Sequence, residues 1–128
     1  MPRRVLLVDD DPSVLLTLKA VLELNAFEVE TATSAEEACL HLSASVFQIV
    51  ITDVRMESES SGLEVIRAAR GQAYRPATAV LTAYPPKDDR WRGEGVGSIL
   101  VKPISTYELV GQLEALLQRR HQTPPPMR

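Results

Sequence analysis

The sequence predicts an α/β fold in three layers: a doubly wound (βα)5 arrangement with a five-stranded parallel sheet between two layers of helices. Short apolar runs rich in β-branched residues alternate about five times with segments of helical periodicity. The loops between them are short, and a right-handed crossover through a helix is the usual link between parallel strands. The length of 128 residues is that of one domain.

Five apolar runs are predicted to form the strands. The third consists almost entirely of β-branched and other apolar residues, which is typical of a parallel strand covered by helices on both faces. It ends at Asp53, an acid whose place beside a packed sheet requires a charge partner. The five runs are residues 4–8, 27–32, 46–53, 77–81 and 99–101.

Side chains that cap a free helix end mark the predicted helix starts. Asp11 before Pro12 fits an N-cap residue with proline at the first helical position. Three pairs have the spacing of a capping box, namely Ser34 with Glu37, Ser61 with Glu64, and Ser105 with Glu108. The resulting helices span residues 12–25, 34–42, 63–70 and 105–120.

The segment between the fourth and fifth strands has a weak helix signal. Two prolines open it and three glycines follow, and both residue types disfavour a long helix. We therefore expect a fourth helix that is short or irregular, with one or two turns near residues 87–92. Trp91 lies in this segment, and we interpret it as a core side chain in preference to an anchor for a partner.

The final helix carries an apolar face and precedes a proline-rich tail. After residue 120 the chain has little to bury, so we expect residues 121–128 to be a mobile tail or the stub of a linker. Residues 1–120 then form the domain. The apolar residues at helical spacing are Tyr107, Leu109, Val110, Leu113, Leu116 and Leu117.

Charge and composition exclude several classes of function. A net charge of −3 and a pI near 5.4 argue against direct binding to nucleic acid or to an anionic membrane. The first strand follows Met1 too closely for a signal peptide or a membrane span, so we expect a cytoplasmic protein. Cys39 and His41 have no partners at the spacing of metal ligands. We interpret Cys39 as a small buried side chain and His41 as a surface or half-buried side chain.

Polar side chains stand at the ends of four predicted strands. Asp9 and Asp10 follow the first strand, Asp53 ends the third, Thr82 follows the fourth and Lys102 follows the fifth. Each has a simple explanation alone, since Thr82 could be only a polar strand terminus and Lys102 only part of a solvated turn. In a parallel sheet, however, these ends lie at one edge, where ligands bind. The sequence therefore predicts one polar crevice.

A hard divalent cation suits this crevice. Two carboxylates about 4 Å apart repel by roughly 4 kcal/mol at an effective dielectric constant near 20, so a positive charge must lie there. The available ligands are oxygens, which Mg²⁺ prefers together with water and phosphate. Thr82 and Lys102 could hold an anion over the metal, and Asp53 could be the nucleophile that becomes an acyl phosphate.

Four segments together resemble the response-regulator receiver domain of two-component signalling, as found in chemotaxis regulators. They are Val8-Asp9-Asp10-Asp11-Pro12, Ile51-Thr52-Asp53-Val54-Arg55-Met56, Leu81-Thr82-Ala83 and Val101-Lys102-Pro103. The resemblance covers residues 4–117 and implies a flavodoxin-like sheet of order 2-1-3-4-5. It implies that the acid at position 53 takes a phosphoryl group from a histidine kinase or phosphotransfer protein and switches a downstream protein target or output domain.

The resemblance also assigns the metal ligands. Asp10 and Asp53 would ligate Mg²⁺ together with the backbone carbonyl of Arg55. Asp9 would act on the same ion mainly through water. These four residues are the metal site that the resemblance implies.

Two further residues would respond to the phosphoryl group. Lys102 would pair with its oxygens, and Thr82 would swing toward it and so report the modification to the surface. Such a domain is not an enzyme, although it promotes its own Mg²⁺-dependent phosphorylation and dephosphorylation. A homodimer is compatible with this assignment.

The chain departs from the family pattern in three places. Glu57 stands where the family usually has proline, and Gly62 comes one residue later than usual, so the loop after the acceptor should differ. Thr82 and Lys102 are closer in sequence than is typical, which again predicts a short fourth helix. Ile99 stands where an aromatic switch residue is common.

Two alternative functions fit the sequence less well, and a third stays open. A Mg²⁺-dependent phosphohydrolase would have an aspartate two residues after the nucleophile, where this chain has Arg55. A nucleotide-binding glycine loop would open a helix, whereas the glycines here precede a strand. The alternative that stays open is a pseudo-receiver, which has the same fold but acts as a protein-interaction module without being phosphorylated.

Overall fold

The computed structural model describes residues 3–54, 56–58, 60–83, 90–102 and 104–122. Strands and helices alternate along these residues, as the sequence predicts. The elements are β1 (Arg3–Val8), α1 (Pro12–Leu24), β2 (Phe27–Ala32), α2 (Ala35–Ala44), β3 (Ile49–Asp53), α3 (Ser61–Arg70), β4 (Ala77–Thr82), α4 (Arg90–Gly93), β5 (Ser98–Val101) and α5 (Thr106–Gln122).

The five strands form one parallel sheet with the order β2-β1-β3-β4-β5. This confirms the doubly wound fold and the strand order. The register places Val8 beside Thr52 and Thr82 beside Val101, so the strands reach the same edge of the sheet together. The residues that follow them are therefore brought to one place.

Two buried clusters on opposite faces of the sheet make the three layers. On one face, Val5, Leu7 and Ile51 pack against leucines of α1 and α5. On the other face, Leu6 and Val50 pack against side chains of α2 and α3. Because alternate residues of β1 and β3 enter different clusters, the buried parts of both strands need consecutive apolar side chains, which explains the apolar runs at residues 5–8 and 49–51.

The central strand is shorter than predicted. We expected β3 to begin at Val46, but it begins at Ile49. Val46 is half exposed, and Phe47 is buried in the second of the two clusters. The backbone N–H of Arg4 donates to the side-chain oxygen of Gln48, not to a backbone carbonyl of this segment. The N–H of Gln48 donates to the carbonyl of Arg4 at 2.9 Å, so backbone pairing with β1 begins at Gln48, after the hydrophobic run has entered the core at Phe47.

Most of the predicted caps form. Asp11 accepts the N–H of Ser13 at 2.9 Å, Ser34 accepts that of Glu37 at 3.1 Å, and Ser105 accepts that of Glu108 at 3.1 Å. Each side chain thus satisfies a backbone donor that has no partner within its own helix.

The cap predicted at Ser61 is wrong. Ser61 is the first residue of α3 and is fully buried, and Ser60 precedes the helix without a side-chain cap bond. The hydroxyl of Ser61 instead accepts the N–H of Ser58 at 2.9 Å. Folding of the preceding loop onto the helix therefore uses the oxygen that the pattern assigned to capping.

The last helix differs from its prediction at one residue. Leu109, Leu113 and Leu116 are buried in the face that α5 turns to the sheet, but Tyr107 is 92% exposed. Tyr107 precedes Leu109 by two positions, and residues two apart do not share a helix face. The helix continues to Gln122, while residues 123–128 lie outside the described part, so the boundary at residue 120 stays a prediction.

The fourth helix is short, as predicted. It consists of Arg90–Gly93, and the predicted residues 87–89 lie outside the described part of the chain. Trp91 is 3% exposed and packs with Ile66 of α3 and Val80 of β4, which confirms its place in the core. Glu94 follows this turn and receives two hydrogen bonds from Arg67 of α3, at 3.1 and 3.2 Å.

Cys39 and His41 lie on α2 and are half-buried. The thiol of Cys39 is free but less buried than we expected. His41 lies 3.7 Å from a carboxylate oxygen of Glu30. Among the helices of the described residues, none combines the length and the apolar character needed to cross a membrane.

Candidate functional site

The acidic side chains reach the site from two adjacent strands. Asp9 follows β1, and its backbone N–H donates to the carbonyl of Ala32 at the end of β2, at 3.1 Å. Asp53 is the last residue of β3, which lies beside β1. Asp10 comes next to Asp9 in the loop that leads to α1. The strand order thus determines which acids can meet.

Three carboxylates come together at this edge. One oxygen from each of Asp9, Asp10 and Asp53 can be chosen so that all lie within 4.8 Å of one another. Asp9 is 1% exposed, Asp53 is partly exposed, and Asp10 is open to solvent. Such a cluster of oxygens has the chemistry of a site for a hard divalent cation, with Asp10 at its solvent side.

Lys102 extends into the same cluster. Its Nζ lies 2.9 Å from Oδ2 of Asp9 and 3.4 Å from Oδ2 of Asp53. Its backbone N–H donates to the carbonyl of Thr82 at 2.8 Å, which ties the ends of β4 and β5 together. One ammonium among three carboxylates leaves the cluster negatively charged.

These contacts perturb the pKa values of the site. Burial raises the pKa of the Asp53 carboxyl above its ordinary value, and the charge of Asp9 raises it further, while Lys102 and the N–H of Val54 only partly oppose this. Burial alone would lower the pKa of Lys102, but its hydrogen bond to Asp9 and the charges of both acids raise that pKa overall. The ammonium therefore stays charged, and the acids repel one another in spite of it.

Asp53→Asn should therefore stabilise the metal-free protein at neutral pH. A carboxyl whose pKa is higher in the folded than in the unfolded chain opposes folding when it is ionised, and this penalty is absent below its ordinary pKa near 4. We expect thermal unfolding with a chelator present to show a gain of about 1 kcal/mol, because the lost attraction to Lys102 offsets most of the repulsion from Asp9, which is roughly 4 kcal/mol at an effective dielectric constant near 20. The gain should vanish below about pH 4. A less stable variant at neutral pH would contradict this expectation.

The loop after the acceptor packs closely against the start of α3. The N–H of Gly62 donates to the carbonyl of Val54 at 2.9 Å. A Cβ on Gly62 would overlap the backbone oxygen of Asp53 and would lie 2.7 Å from that of Val54. Only a residue without a side chain allows this approach. The sequence indicated an unusual position for Gly62 but not this contact.

The structure describes some of the remaining predicted site residues and not others. Thr82 ends β4 and is buried, so it lies at the correct edge, while its predicted swing stays a prediction. Arg55 lies outside the described residues, so the expectation that its backbone carbonyl ligates Mg²⁺ stays a prediction. Ile99 lies in β5 with an exposed fraction of 42%.

Sequence reasoning missed one contact beside the site. The carboxylate of Glu57 accepts the backbone N–H of Ala35, the first residue of α2, at 3.1 Å. The two residues are 22 positions apart, and no local spacing rule connects them. The only signal of Glu57 in the sequence is that it stands where the family usually has proline.

Comparisons with known proteins agree with this geometry. Residues 5–114 match the response regulator receiver domain family. The transcriptional regulatory protein PrrA of Mycobacterium leprae is 38% identical over 122 residues, which are 94% of this chain and 52% of that protein. The chain thus spans about half the length of the curated relatives it matches.

Two solved structures are similar over almost the whole chain. Chemotaxis protein CheY4 of Vibrio cholerae has a TM-score of 0.83 and 28% identity, covering 91% of this chain and 99% of that chain. Response regulator protein TrrA of Thermotoga maritima, solved in complex with Mg²⁺-BeF, has a TM-score of 0.79 and 30% identity, with the same coverage of 91% and 99%.

Proposed function

Because the chain belongs to the response regulator receiver domain family of two-component signalling, we propose that it takes a phosphoryl group from a histidine kinase or phosphotransfer protein onto Asp53. The observation that carries this proposal is the meeting of three carboxylates and one ammonium at the carboxyl edge of the sheet. Asp53 is the member of this cluster that is both central and partly open to solvent. A donor can therefore approach it.

The transfer is a displacement at phosphorus. A carboxylate oxygen of Asp53 forms a bond to phosphorus while the bond from phosphorus to the donor's imidazole nitrogen breaks, and the electron pair stays on that nitrogen. Oδ1 accepts the N–H of Val54 at 2.8 Å, whereas Oδ2 faces Lys102. A phosphoryl group on Oδ2 would place its oxygens next to the ammonium of Lys102, which would exchange its bond to Asp53 for bonds to the phosphoryl group.

Mg²⁺ fits the oxygen donors of this site. Asp10 and Asp53 would hold it directly with the carbonyl of Arg55, and Asp9 would hold it mainly through water. The ion would supply the positive charge that lets a negatively charged phosphoryl group approach a negatively charged cluster. Lys102 alone does not neutralise the three acids.

The family match supports a proposed role in the cell. We propose a cytoplasmic switch that promotes its own phosphorylation and dephosphorylation and acts on a downstream protein target or an output domain, without direct contact with nucleic acid or membrane. Residues 1–120 would form the receiver, and Thr82 would couple the phosphoryl group to the surface. A homodimer is compatible with this switch.

Intact mass after incubation with Mg²⁺ and a small phosphodonor tests the proposal. The wild-type chain should gain the mass of one phosphoryl group, and Asp53→Asn should gain none, because an amide oxygen is not the required nucleophile. Glu36→Gln is the matched control, since it makes the same change from acid to amide at an exposed residue of α2 and should keep the adduct.

The outcomes separate the two candidate functions. An adduct on the wild type and on Glu36→Gln, but not on Asp53→Asn, supports a phosphorylated receiver. An adduct on none of the three favours the pseudo-receiver. An adduct that persists on Asp53→Asn would show that another residue is the acceptor.

A further inference from the structure

Glu57 connects the loop that follows Asp53 to the second helix. Its Oε1 accepts the N–H of Ala35 at 3.1 Å. Ala35 is the first residue of α2, and its N–H is one of the donors that have no partner within the helix. A carboxylate at a helix N-terminus also interacts favourably with the helix dipole. The contact is therefore stabilised by charge as well as by the hydrogen bond.

The same turn also holds the other acidic loop. The N–H of Asp9 donates to the carbonyl of Ala32 at 3.1 Å. Ala32 and Ala35 are both buried, so the turn between β2 and α2 is fixed by the core. This turn is thus hydrogen-bonded to the Asp9 loop through the carbonyl of Ala32 and to the loop after Asp53 through the N–H of Ala35. We call residues 32–35 the bridging turn.

Among the described residues of the loop after Asp53, Met56 packs against the second buried cluster, and two further hydrogen bonds lie within the loop or join it to α3. The N–H of Met56 donates to the carbonyl of Ser58 at 3.2 Å, and that of Ser58 donates to the hydroxyl of Ser61 at 2.9 Å. These bonds shape the loop but do not relate it to the loop of Asp9. The bond from Glu57 supplies that relation through the bridging turn.

We propose that Glu57 is a positioning residue for the metal, and this proposal rests on the proposed Mg²⁺-dependent function. Through the bridging turn, its carboxylate holds the loop after Asp53 in place relative to the loop of Asp9 and Asp10. The carboxylates of Asp9, Asp10 and Asp53 would then be held at the spacing that one cation requires. Without this tether, the loop would have to become ordered on binding, and the affinity for Mg²⁺ would fall.

The dissociation constant for Mg²⁺ tests this role, measured by NMR titration of backbone amides with MgCl₂ alone. Glu57→Ala should weaken Mg²⁺ binding by about tenfold, as expected when a group that orients a metal ligand is lost. Glu57→Gln keeps an acceptor oxygen and should recover part of the affinity. Glu36→Gln removes a charge from the first turn of the same helix and should leave the constant within about twofold of the wild type.

A second measurement reports the tether itself. In the metal-free protein, the amide of Ala35 should exchange its hydrogen faster in Glu57→Ala than in the wild type, because its acceptor is gone. This readout does not depend on phosphorylation. Unchanged exchange at Ala35 would show that Glu57 does not hold the turn in solution and would overturn the proposal.

The titrations distinguish failure of this inference from failure of the proposed function. If the wild type binds Mg²⁺ and Glu57→Ala binds it equally well, the positioning role is wrong while the proposed function stands. If Glu36→Gln weakens Mg²⁺ binding as much as Glu57→Ala does, the effect comes from the total charge, and the positioning role of Glu57 is again wrong. If the wild type itself does not bind Mg²⁺, the proposed function and the inference fail together.

Discussion

Trp91→Ala should lower the free energy of unfolding by about 3–5 kcal/mol, which is the usual cost of removing a large aromatic side chain from a core. Trp91 is 3% exposed and fills the space between Ile66 of α3 and Val80 of β4. It belongs to a helix of one turn, and such a turn is stabilised by its packing, not by its own hydrogen bonds. The variant would therefore lose the buried contacts through which Trp91 holds this turn to α3 and β4.

Urea unfolding followed by far-UV circular dichroism measures this loss. Tyr107→Ala is the matched control, because it also removes an aromatic ring but from a residue that is 92% exposed. Its free energy of unfolding should stay within about 0.5 kcal/mol of the wild type. A loss below about 1 kcal/mol for Trp91→Ala would mean that the tryptophan is not a core residue.

Trp91 packs on the strand that carries the site residue Thr82. Its contact Val80 lies two residues before Thr82 in β4, and alternate residues of a strand point to the same face. Beyond the turn, Arg67 of α3 holds Glu94 by two hydrogen bonds. The hydrogen bonds to Glu94 raise the pKa of Arg67 and lower that of Glu94, so this exposed pair stays ionised over the ordinary pH range. The short helix is thus connected both to the core and to α3.

The fold was predictable because the signals that carry it are local. Alternating apolar runs and capping residues define strands and helices one at a time, and Asp11 and Ser34 cap their helices as their spacing indicates. The convergence of Asp9, Asp53 and Lys102 was also predictable, since a parallel sheet brings the ends of its strands to one edge.

The features that could not be predicted depend on contacts between distant segments. The pattern predicts a strand from Val46, but backbone pairing begins at Gln48 and the strand itself at Ile49. It assigned Ser61 to a cap, but the hydroxyl is used by the loop before it. The bond between Glu57 and Ala35 joins a loop to the start of α2, and the distance between these segments is set by the whole sheet. Local spacing cannot contain such information.

Gly62→Ala should destabilise the protein by about 1–3 kcal/mol, the usual cost of forcing an extra methyl group into a packed site. In the interior of an unobstructed helix the same change stabilises, by up to about 1 kcal/mol. Here the added Cβ would meet backbone atoms, the oxygen of Asp53 and, at 2.7 Å, that of Val54. Backbone cannot move aside as a flexible side chain can, so the steric cost exceeds the gain in helix propensity.

Gly111→Ala provides the control for this substitution. Gly111 lies within α5, and a Cβ there would have no neighbour within 4 Å, so only the gain in helix propensity should remain. The two variants should therefore change the midpoint of urea unfolding in opposite directions. Because the methyl group added by Gly62→Ala would displace backbone atoms of the acceptor, this variant should also weaken Mg²⁺ binding, whereas Gly111→Ala should not. If both variants stabilise the protein, the close approach of α3 to the acceptor is absent in solution.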